Sequence, residues 1–351
     1  MAKNLARLAA VAGALALWAG ATSAQAVITN GTIRMGVNLL GHLNSGSVPQ
    51  VTGTSLVGVR FITAAGEYES TADGCACEGW GVGVRSGGVL TSSGYANVAV
   101  GTSNLTSVNF TSTASTASST VRLTTGPGLQ VTHEYVPSST PNLYEVRVTI
   151  TNTGASTLGD VVYRRVMDWD IAPTQFTENV RISGWGATNL IGAGSNGFLS
   201  AQPLALTGRV NGCVIGGVCN GNFETTAGDD RGSFFDFSFG ALAAGESKTF
   251  QTFYGAGANL DQLLTALGSV GAEVYTAAWC AGGAPGAGPT ACNGKAGPAV
   301  FGYGFRGVGG SVPPELPPAT GVVPEPSTYA LFATGLLGLA VISRRRRNSA
   351  L

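Results

Sequence analysis

The chain has 351 residues, 53 of them glycine, and equal numbers of basic and acidic side chains, 19 of each. Six of the basic residues and one of the acidic residues lie in the two terminal segments, so residues 27–323 keep 13 basic and 18 acidic side chains, a net charge of −5. This balance argues against nucleic acid as a partner, because phosphate contacts need clustered Lys and Arg.

The first 26 residues have the pattern of a secretory signal peptide. Lys3 and Arg7 precede an apolar stretch over residues 8–20, and Ala24-Gln25-Ala26 forms a small-x-small cleavage site. We therefore expect cleavage after Ala26. The remaining chain is then long enough to form one large exported domain with a sizeable core.

Short apolar runs separated by glycine turns predict β-strands in the first part of the exported chain. Two such runs cover residues 56–62 and 79–84. A Ser/Thr-rich tract follows at residues 101–125, and its apolar residues have strand-like spacing. It fits either two edge strands around Thr111–Thr120 or a flexible loop.

The clearest alternation of apolar and polar residues lies between residues 129 and 171. Leu129–His133 alternates, and Tyr144–Ile150 places three aliphatic side chains on one face. A third strand is predicted from Asp160 to Trp169. Period-two alternation is typical of half-buried strands, so this region resembles a β-sandwich meander.

The later part of the chain predicts further strands. Residues 232–239 and 248–254 are expected to form a hairpin with residues 241–245 as its loop. Phe301–Phe305 is expected to be the closing strand. A Pro-rich linker at residues 311–322 then separates the β-domain, residues 27–310, from the C-terminal segment.

One helix is predicted in the exported chain. Asn259 is a good N-cap, and Gln262 follows three residues later, as in a capping box. Leucines at 260, 263, 264 and 267 form one apolar stripe. The expected fold class is therefore all-β, a large β-sandwich with one short packed helix.

Six cysteines lie in the exported part. An even number in an oxidising compartment favours disulfides over zinc ligation. The spacing predicts two local bridges, Cys213 to Cys219 and Cys280 to Cys292. Residues 75 and 77, both Cys, could form a strained tight bridge, stay as thiols or be redox-active.

Asp168 and Asp170 form the most suggestive pair of polar residues. Two residues apart on a strand, they share one face, as Ca²⁺ ligands or a catalytic carboxylate pair would. We expect a structural role and no metal, with Asp168 paired to an arginine on a neighbouring strand and Asp170 capping a turn. Asp229 and Asp230 are expected to lie in a solvated turn.

No catalytic residue, cofactor or enzymatic activity is predicted. The two histidines, His42 and His133, have no nucleophile or carboxylate that the sequence brings beside them. The exported part also has four scattered tryptophans, which could stack on sugars if exposed but are more often core residues. These are Trp80, Trp169, Trp185 and Trp279.

The C-terminal segment combines three parts in a fixed order. Val323-Pro324-Glu325-Pro326-Ser327 precedes an uncharged apolar run that ends at Ile342, and four arginines follow at 344–347. The apolar core of this run, residues 329–342, would be about 21 Å long as a helix, against a hydrocarbon core of about 30 Å. We expect a short transmembrane helix with the arginines on the cytoplasmic side.

This layout at residues 323–351 resembles the PEP-CTERM sorting signal, also called the ice-binding protein C-terminal domain. The resemblance implies transient anchoring in the inner membrane, cleavage at Pro-Glu-Pro by an exosortase-type enzyme, and release to the cell surface or an extracellular polysaccharide matrix. The expected role is structural or adhesive, in a surface or exopolysaccharide layer.

Two alternatives stay open at this point. The first is a secreted carbohydrate-binding or carbohydrate-active protein that uses Asp168, Asp170 and an exposed tryptophan. The second is ice binding, which requires a flat, regular array of threonines, and Thr111–Thr120 is the candidate region.

Overall fold

A computed structural model describes residues 25–49, 54–205, 221–225, 228–281, 292 and 299–317. The predicted signal peptide, the sorting segment and the cysteine pair 213/219 lie outside these residues, apart from the last two residues of the signal peptide. The described part is mostly β-strand with one helix, which confirms the predicted class at that level. The division of the chain into domains stays a prediction.

The strands and the helix have the following bounds: β1 Gln25–Thr29, β2 Ile33–Asn38, β3 Val59–Thr63, β4 Gly66–Glu69, β5 Gly79–Ser86, β6 Val89–Asn97, β7 Leu105–Ser112, β8 Ala117–Leu123, β9 Leu129–Pro137, β10 Leu143–Asn152, β11 Asp160–Asp168, β12 Glu178–Ser183, β13 Leu190–Gly194, β14 Phe223–Glu224, β15 Gly232–Ser238, β16 Ser247–Gly257, α1 Leu260–Ser269, β17 Val274–Cys280 and β18 Val300–Arg306.

The strands form three antiparallel sheets. A nine-stranded sheet has the order β14-β12-β17-β18-β16-β10-β9-β8-β7, and a five-stranded sheet has the order β13-β15-β11-β5-β6. The first four strands form a smaller sheet in chain order. Side chains from all three sheets meet in one main apolar core, for example Ile28, Trp80 and Val148.

The alternation that predicted β10 is explained by this packing. Val146, Val148 and Ile150 are fully buried, whereas Arg147 between them is exposed. β10 pairs with β9 on one side and β16 on the other, so one face covers the core and the other faces solvent.

The predicted hairpin of residues 232–239 and 248–254 is wrong. β15 lies in the five-stranded sheet and β16 in the nine-stranded sheet, so the chain crosses between sheets at Leu242, which bridges to Leu158. Phe234 and Phe235 of β15 bury their side chains in different apolar clusters, as expected for an internal strand covered on both faces. The predicted closing strand, β18, is also internal, between β17 and β16.

The predicted helix and its cap are confirmed. The Asn259 side chain accepts a hydrogen bond from the backbone N–H of Gln262 at 2.9 Å, and the Gln262 side chain accepts one from the Ala258 N–H at 2.7 Å. The leucine stripe packs on residues of β16, β17 and β18. Among the described residues, no helix is both long enough and apolar enough to cross a membrane.

Candidate functional site

The pair predicted from the sequence lies at the end of β11. Asp168 is the last residue of the strand, and Asp170 follows it with its N–H bound to the Ser70 carbonyl at 2.7 Å. Asp168 shares the strand face that carries Arg164 and Val166, and residues 199–201 help to cover that face. Both aspartates are 1 % exposed.

The arginines of β11 bind other acids. Arg164 donates to Asp236 at 2.8 and 2.5 Å, and Arg165 forms an ion pair with Glu78. Asp168 contacts Cys75, with its Oδ2 atom 3.3 Å from the Cys75 Sγ atom. The predicted pairing of Asp168 with an arginine stays a prediction.

Asp168 and Asp170 converge with the loop that follows β4. One carboxylate oxygen from each aspartate and the Cys75 sulfur lie within 4.8 Å of one another. Asp170 packs so closely on this loop that a Cβ atom added to Gly74 would overlap with its Oδ1 atom. A side chain at position 74 would therefore displace the carboxylate.

Glu178 brings a third buried carboxylate from the other large sheet. It is 0 % exposed, and its Oε1 atom accepts a hydrogen bond from the Ile171 N–H at 3.2 Å. The Oε2 atom is buried without a hydrogen-bond partner. The Glu178 backbone is fixed on both sides, by pairing with Cys280 and by a bridge to Asp229.

The electrostatics show that these groups act on one another. Burial raises the pKa of Glu178 to about 10. The charges of Asp168, Asp170 and Asp230 add to this rise, and the hydrogen bond from the Ile171 N–H opposes it. Burial raises the pKa of Asp170 to about 8, and the charges of Asp230 and Asp73 raise it further. Hydrogen bonds from the backbone N–H groups of Gly74 and Cys75 lower it. We call Asp73, Asp168, Asp170, Glu178 and Asp230 the acidic cluster.

Two members of the acidic cluster are less buried than the other three. Asp73 and Asp230 are half-buried, and Gly74 beside Asp73 is exposed. The Asp73 Oδ1 atom accepts the Thr54 N–H at 2.8 Å. The turn predicted at Asp229 and Asp230 is less solvated than expected, since both residues are partly buried and Asp229 bridges to Glu178.

Two cysteine pairs flank the acidic cluster. In the structure Cys75 is bonded to Cys77, the pair left open by the sequence. The Cys280 and Cys292 sulfurs lie 2.09 Å apart, which is a bonding distance. In the first pair, Cys75 contacts Asp168. In the second pair, Cys280 is the last residue of β17 and lies opposite Glu178. The other predicted bridge, at positions 213 and 219, lies outside the described residues.

A second polar group, which the sequence did not indicate, is enclosed in the main core. Arg165 and Glu78 form its ion pair, and Tyr254 donates to Glu78 at 3.2 Å. Both histidines are buried near this pair, and burial is the main cause that lowers their pKa, to about 4 for His42. This group is a core ion pair with its hydrogen-bonding neighbours.

The tryptophans do not form a sugar-binding platform. Trp80, Trp169 and Trp279 are buried, and Trp185 is partly buried against the main core. The indole between the two aspartates is thus covered, contrary to the requirement of the carbohydrate alternative.

The threonine array differs from the expected one. Thr120, Thr132, Thr149 and Thr249 lie opposite one another across β8, β9, β10 and β16. The hydroxyls of the first two and of the last two are 3.1 Å apart. On one side, the adjacent row is charged, as at Arg147. The regular array is therefore one residue wide, and it runs across the strands.

Comparison with known proteins assigns the C-terminal segment. The protein is mostly β, and residues 322–347 match the PEP-CTERM protein-sorting motif. The chain thus carries a PEP-CTERM motif, which implies export, transient anchoring in the membrane and processing by an exosortase.

Comparisons over the rest of the chain add little. No curated protein matches it. A solved structure of a galactose mutarotase related enzyme from Lactobacillus acidophilus is similar with 8% identity and a TM-score of 0.30, over 80% of this chain and 85% of that chain. A similarity this distant carries no argument about fold or activity.

Proposed function

We propose that this protein is a structural or adhesive component of the cell surface or of an extracellular polysaccharide matrix. The PEP-CTERM motif is the observation that carries the proposal, because it directs a protein to that destination. The signal-peptide pattern at residues 1–26 supports the same route. The β-domain is then the part that acts outside the inner membrane.

The proposal includes no catalytic role. The carboxylates that would serve as a catalytic pair, Asp168 and Asp170, are buried, and so is the neighbouring Glu178. A general acid must reach the substrate atom that it protonates. The two histidines are buried in the core, which supports a structural role for them too.

Intact mass of the protein recovered from the cell surface tests the proposed sorting. We expect the product to lack residues 1–26 and the arginines at 344–347. Substitution of Pro324 and Glu325 by Ala should leave an uncleaved form in the inner membrane. The matched control is Pro318→Ala, a proline outside the motif, which should be processed normally.

Two results would contradict the proposal. One is released protein that still carries the four arginines. The other is normal release of the variant with Ala at 324 and 325.

A matrix role further predicts that the processed protein co-purifies with exopolysaccharide. Recovery of all the protein in the polysaccharide-free fraction would contradict the matrix role and leave only the proposed sorting.

Carbohydrate binding is a second candidate, and the outer face of the nine-stranded sheet favours it. The threonine row and its neighbours, such as Gln130 and Arg147, offer hydroxyl, amide and guanidinium groups on one face of the sheet. Affinity electrophoresis in gels that contain the producer's exopolysaccharide tests this candidate. Thr132→Val with Thr149→Val should restore free migration, whereas Ser86→Ala, on another sheet, should not.

A further inference from the structure

We infer that the folded β-domain limits the rate at which an exosortase cleaves this chain, because residues 313–317 dock on the domain and leave only a short tether before Pro324. We call residues 313–317 the C-terminal clamp. The inference rests on the proposed sorting by an exosortase. It adds the surface of the domain that must lie beside that enzyme during cleavage.

The C-terminal clamp contains a turn and an apolar anchor. The Leu316 N–H donates to the Pro313 carbonyl at 2.9 Å, and both side chains are buried. Leu316 is only 3 % exposed and belongs to the apolar cluster that contains the leucines of α1. Burial of a leucine removes a large apolar area from water, so this contact favours the docked position.

Polar and backbone contacts fix the same segment on the domain. The Glu315 carboxylate accepts hydrogen bonds from the hydroxyls of Ser183, at the end of β12, and Tyr275, in β17. The Pro317 carbonyl lies so close to Gly268 of α1 that a Cβ atom at position 268 would overlap with it. The C-terminal clamp therefore contacts β12, β17 and α1 together, and we call this area the exit face.

The chain has a separate anchor just before the C-terminal clamp. The Glu273 carboxylate accepts the backbone N–H groups of Gly307, Val308 and Gly310, each at 2.9 Å. The Gly309 carbonyl also accepts the Thr188 N–H at 2.9 Å. Release of the C-terminal clamp would thus free the chain back to Gly310 and leave the fold before that residue intact.

Covalent geometry sets the reach of the cleavage motif. Seven residue steps separate Pro317 from Pro324, so the motif lies within about 25 Å of the exit face, whatever the conformation of the tether. A domain of this length has a radius of gyration of about 19 Å, which corresponds to a sphere of about 25 Å radius. Because the reach does not exceed this radius, the exit face must lie beside the enzyme that binds the motif.

This crowding should slow cleavage. Part of the tether must enter the active site with the motif, which brings the exit face closer to the enzyme. Release of the C-terminal clamp would move the last anchor back to Gly310 and would extend the reach to about 50 Å. The domain could then move aside without a change in its fold.

Pulse-chase of the full chain in producing cells tests the inference, with precursor and product followed by intact mass. Insertion of Gly-Ser-Gly-Ser-Gly-Ser between Pro318 and Ala319 lengthens the tether but leaves the C-terminal clamp unchanged. It should raise the cleavage rate roughly threefold or more, because a longer linker lets the motif reach the enzyme more often. Deletion of Ala319–Gly321 should lower the rate.

Two substitutions test the docking itself. Leu316→Ala removes the buried anchor and should raise the rate toward that of the tether insertion. Glu315→Gln keeps an acceptor oxygen and should have a smaller effect. Leu316→Ala combined with the tether insertion should be no faster than the insertion alone, because the tether is then already long. Additive increases would contradict a shared cause.

Two controls separate tether length from other effects. The same insertion between Gly87 and Gly88, at the exposed turn between β5 and β6, lengthens the chain elsewhere and should leave the rate unchanged. Asn259→Ala weakens α1 at its N-cap without a change in the C-terminal clamp, and it should also leave the rate unchanged. Urea unfolding of each purified variant shows that its domain is folded.

Three results would overturn the inference. The first is a tether insertion that leaves the cleavage rate unchanged or lowers it. The second is an equal increase from the insertion at Gly87. The third is an equal increase in Asn259→Ala and Leu316→Ala, because loss of stability would then be the cause. Failure of the proposed sorting is distinct, since the parent itself would then stay uncleaved, and both proposals would fall.

Discussion

Glu178 lies directly opposite Cys280 in the pairing of β12 with β17, and Cys280 is bonded to Cys292. The disulfide therefore fixes the strand end that faces Glu178. A loop of this size should stabilise the fold by about 2 to 3 kcal/mol through the reduced entropy of the unfolded chain. Replacement of both cysteines by Ser should lower the free energy of unfolding by that amount.

Urea unfolding measures this loss, and peptide mapping without reduction checks the pairing itself. Mapping should recover Cys280 linked to Cys292, and Cys213 linked to Cys219. Thiols at any of these four positions, or links that cross between the two pairs, would contradict the assignment.

The core ion pair of Arg165 and Glu78 gives the next prediction. Both side chains are buried, so Arg165→Met would leave a buried carboxylate without its cation and should cost about 3 to 5 kcal/mol. The double variant Arg165→Met with Glu78→Leu should recover much of this loss, because it removes both charges. Equilibrium unfolding in urea measures each step.

An exposed pair provides the comparison. Arg147 binds Glu145 at 2.8 Å, but half of the Arg147 side chain is open to solvent. Arg147→Met should change the free energy of unfolding by less than about 1 kcal/mol. A loss of similar size at positions 147 and 165 would mean that burial does not decide the strength of these pairs.

The helix cap can be tested by a small change. Asn259→Ala removes the side-chain oxygen that accepts the Gln262 N–H, and such caps contribute about 1 kcal/mol. Asn259→Ser keeps an acceptor and should keep most of the stability. Equal losses in the two variants would show that the cap contributes nothing beyond the space its side chain fills.

Much of the local structure could be predicted from the sequence. The alternation at Tyr144–Ile150 and the capping pair at Asn259 are short-range patterns, and both describe the structure correctly. A hairpin was predicted at residues 232–254 because the loop between the two strands is short enough for one. That prediction was wrong. The partner of β15 is decided instead by its two buried faces, a long-range property that a local pattern does not contain.

The acidic cluster shows the same division. Period-two geometry placed Asp168 and Asp170 on one face without further information. Their approach to Glu178 and Asp73 depends on how two sheets and a loop meet, and the sequence separations between these residues give no sign of it. Asp230 looked like a turn residue because an acidic pair after a glycine is usually solvated.

The last prediction concerns the dependence of stability on pH. Burial lowers the pKa of His42 from its ordinary value of 6.5 to about 4 in the folded protein. The charge of Arg165 also lowers this pKa, whereas the hydrogen bond to the Leu43 carbonyl raises it. Between these pH values the unfolded chain binds a proton that the folded chain does not. Stability from His42 is therefore complete above pH 6.5 and is lost as pH falls toward 4.

The size of this loss is on the order of 3 kcal/mol, since one pKa unit corresponds to about 1.4 kcal/mol. His133 changes stability in the same direction, because its pKa is also lowered. The raised pKa values of Asp170 and Glu178 act in the opposite direction over the same range, since the folded protein there holds protons that the unfolded chain releases. A measurement on the parent alone would mix these contributions.

The difference between the parent and His42→Gln isolates the histidine. Urea unfolding of both proteins at several pH values from 4 to 7 should give free energies that converge as the pH falls, because the amide that replaces the imidazole cannot be protonated. The acids of the cluster are present in both proteins, so their contribution cancels. A constant difference across this range would mean that His42 titrates normally in the folded state.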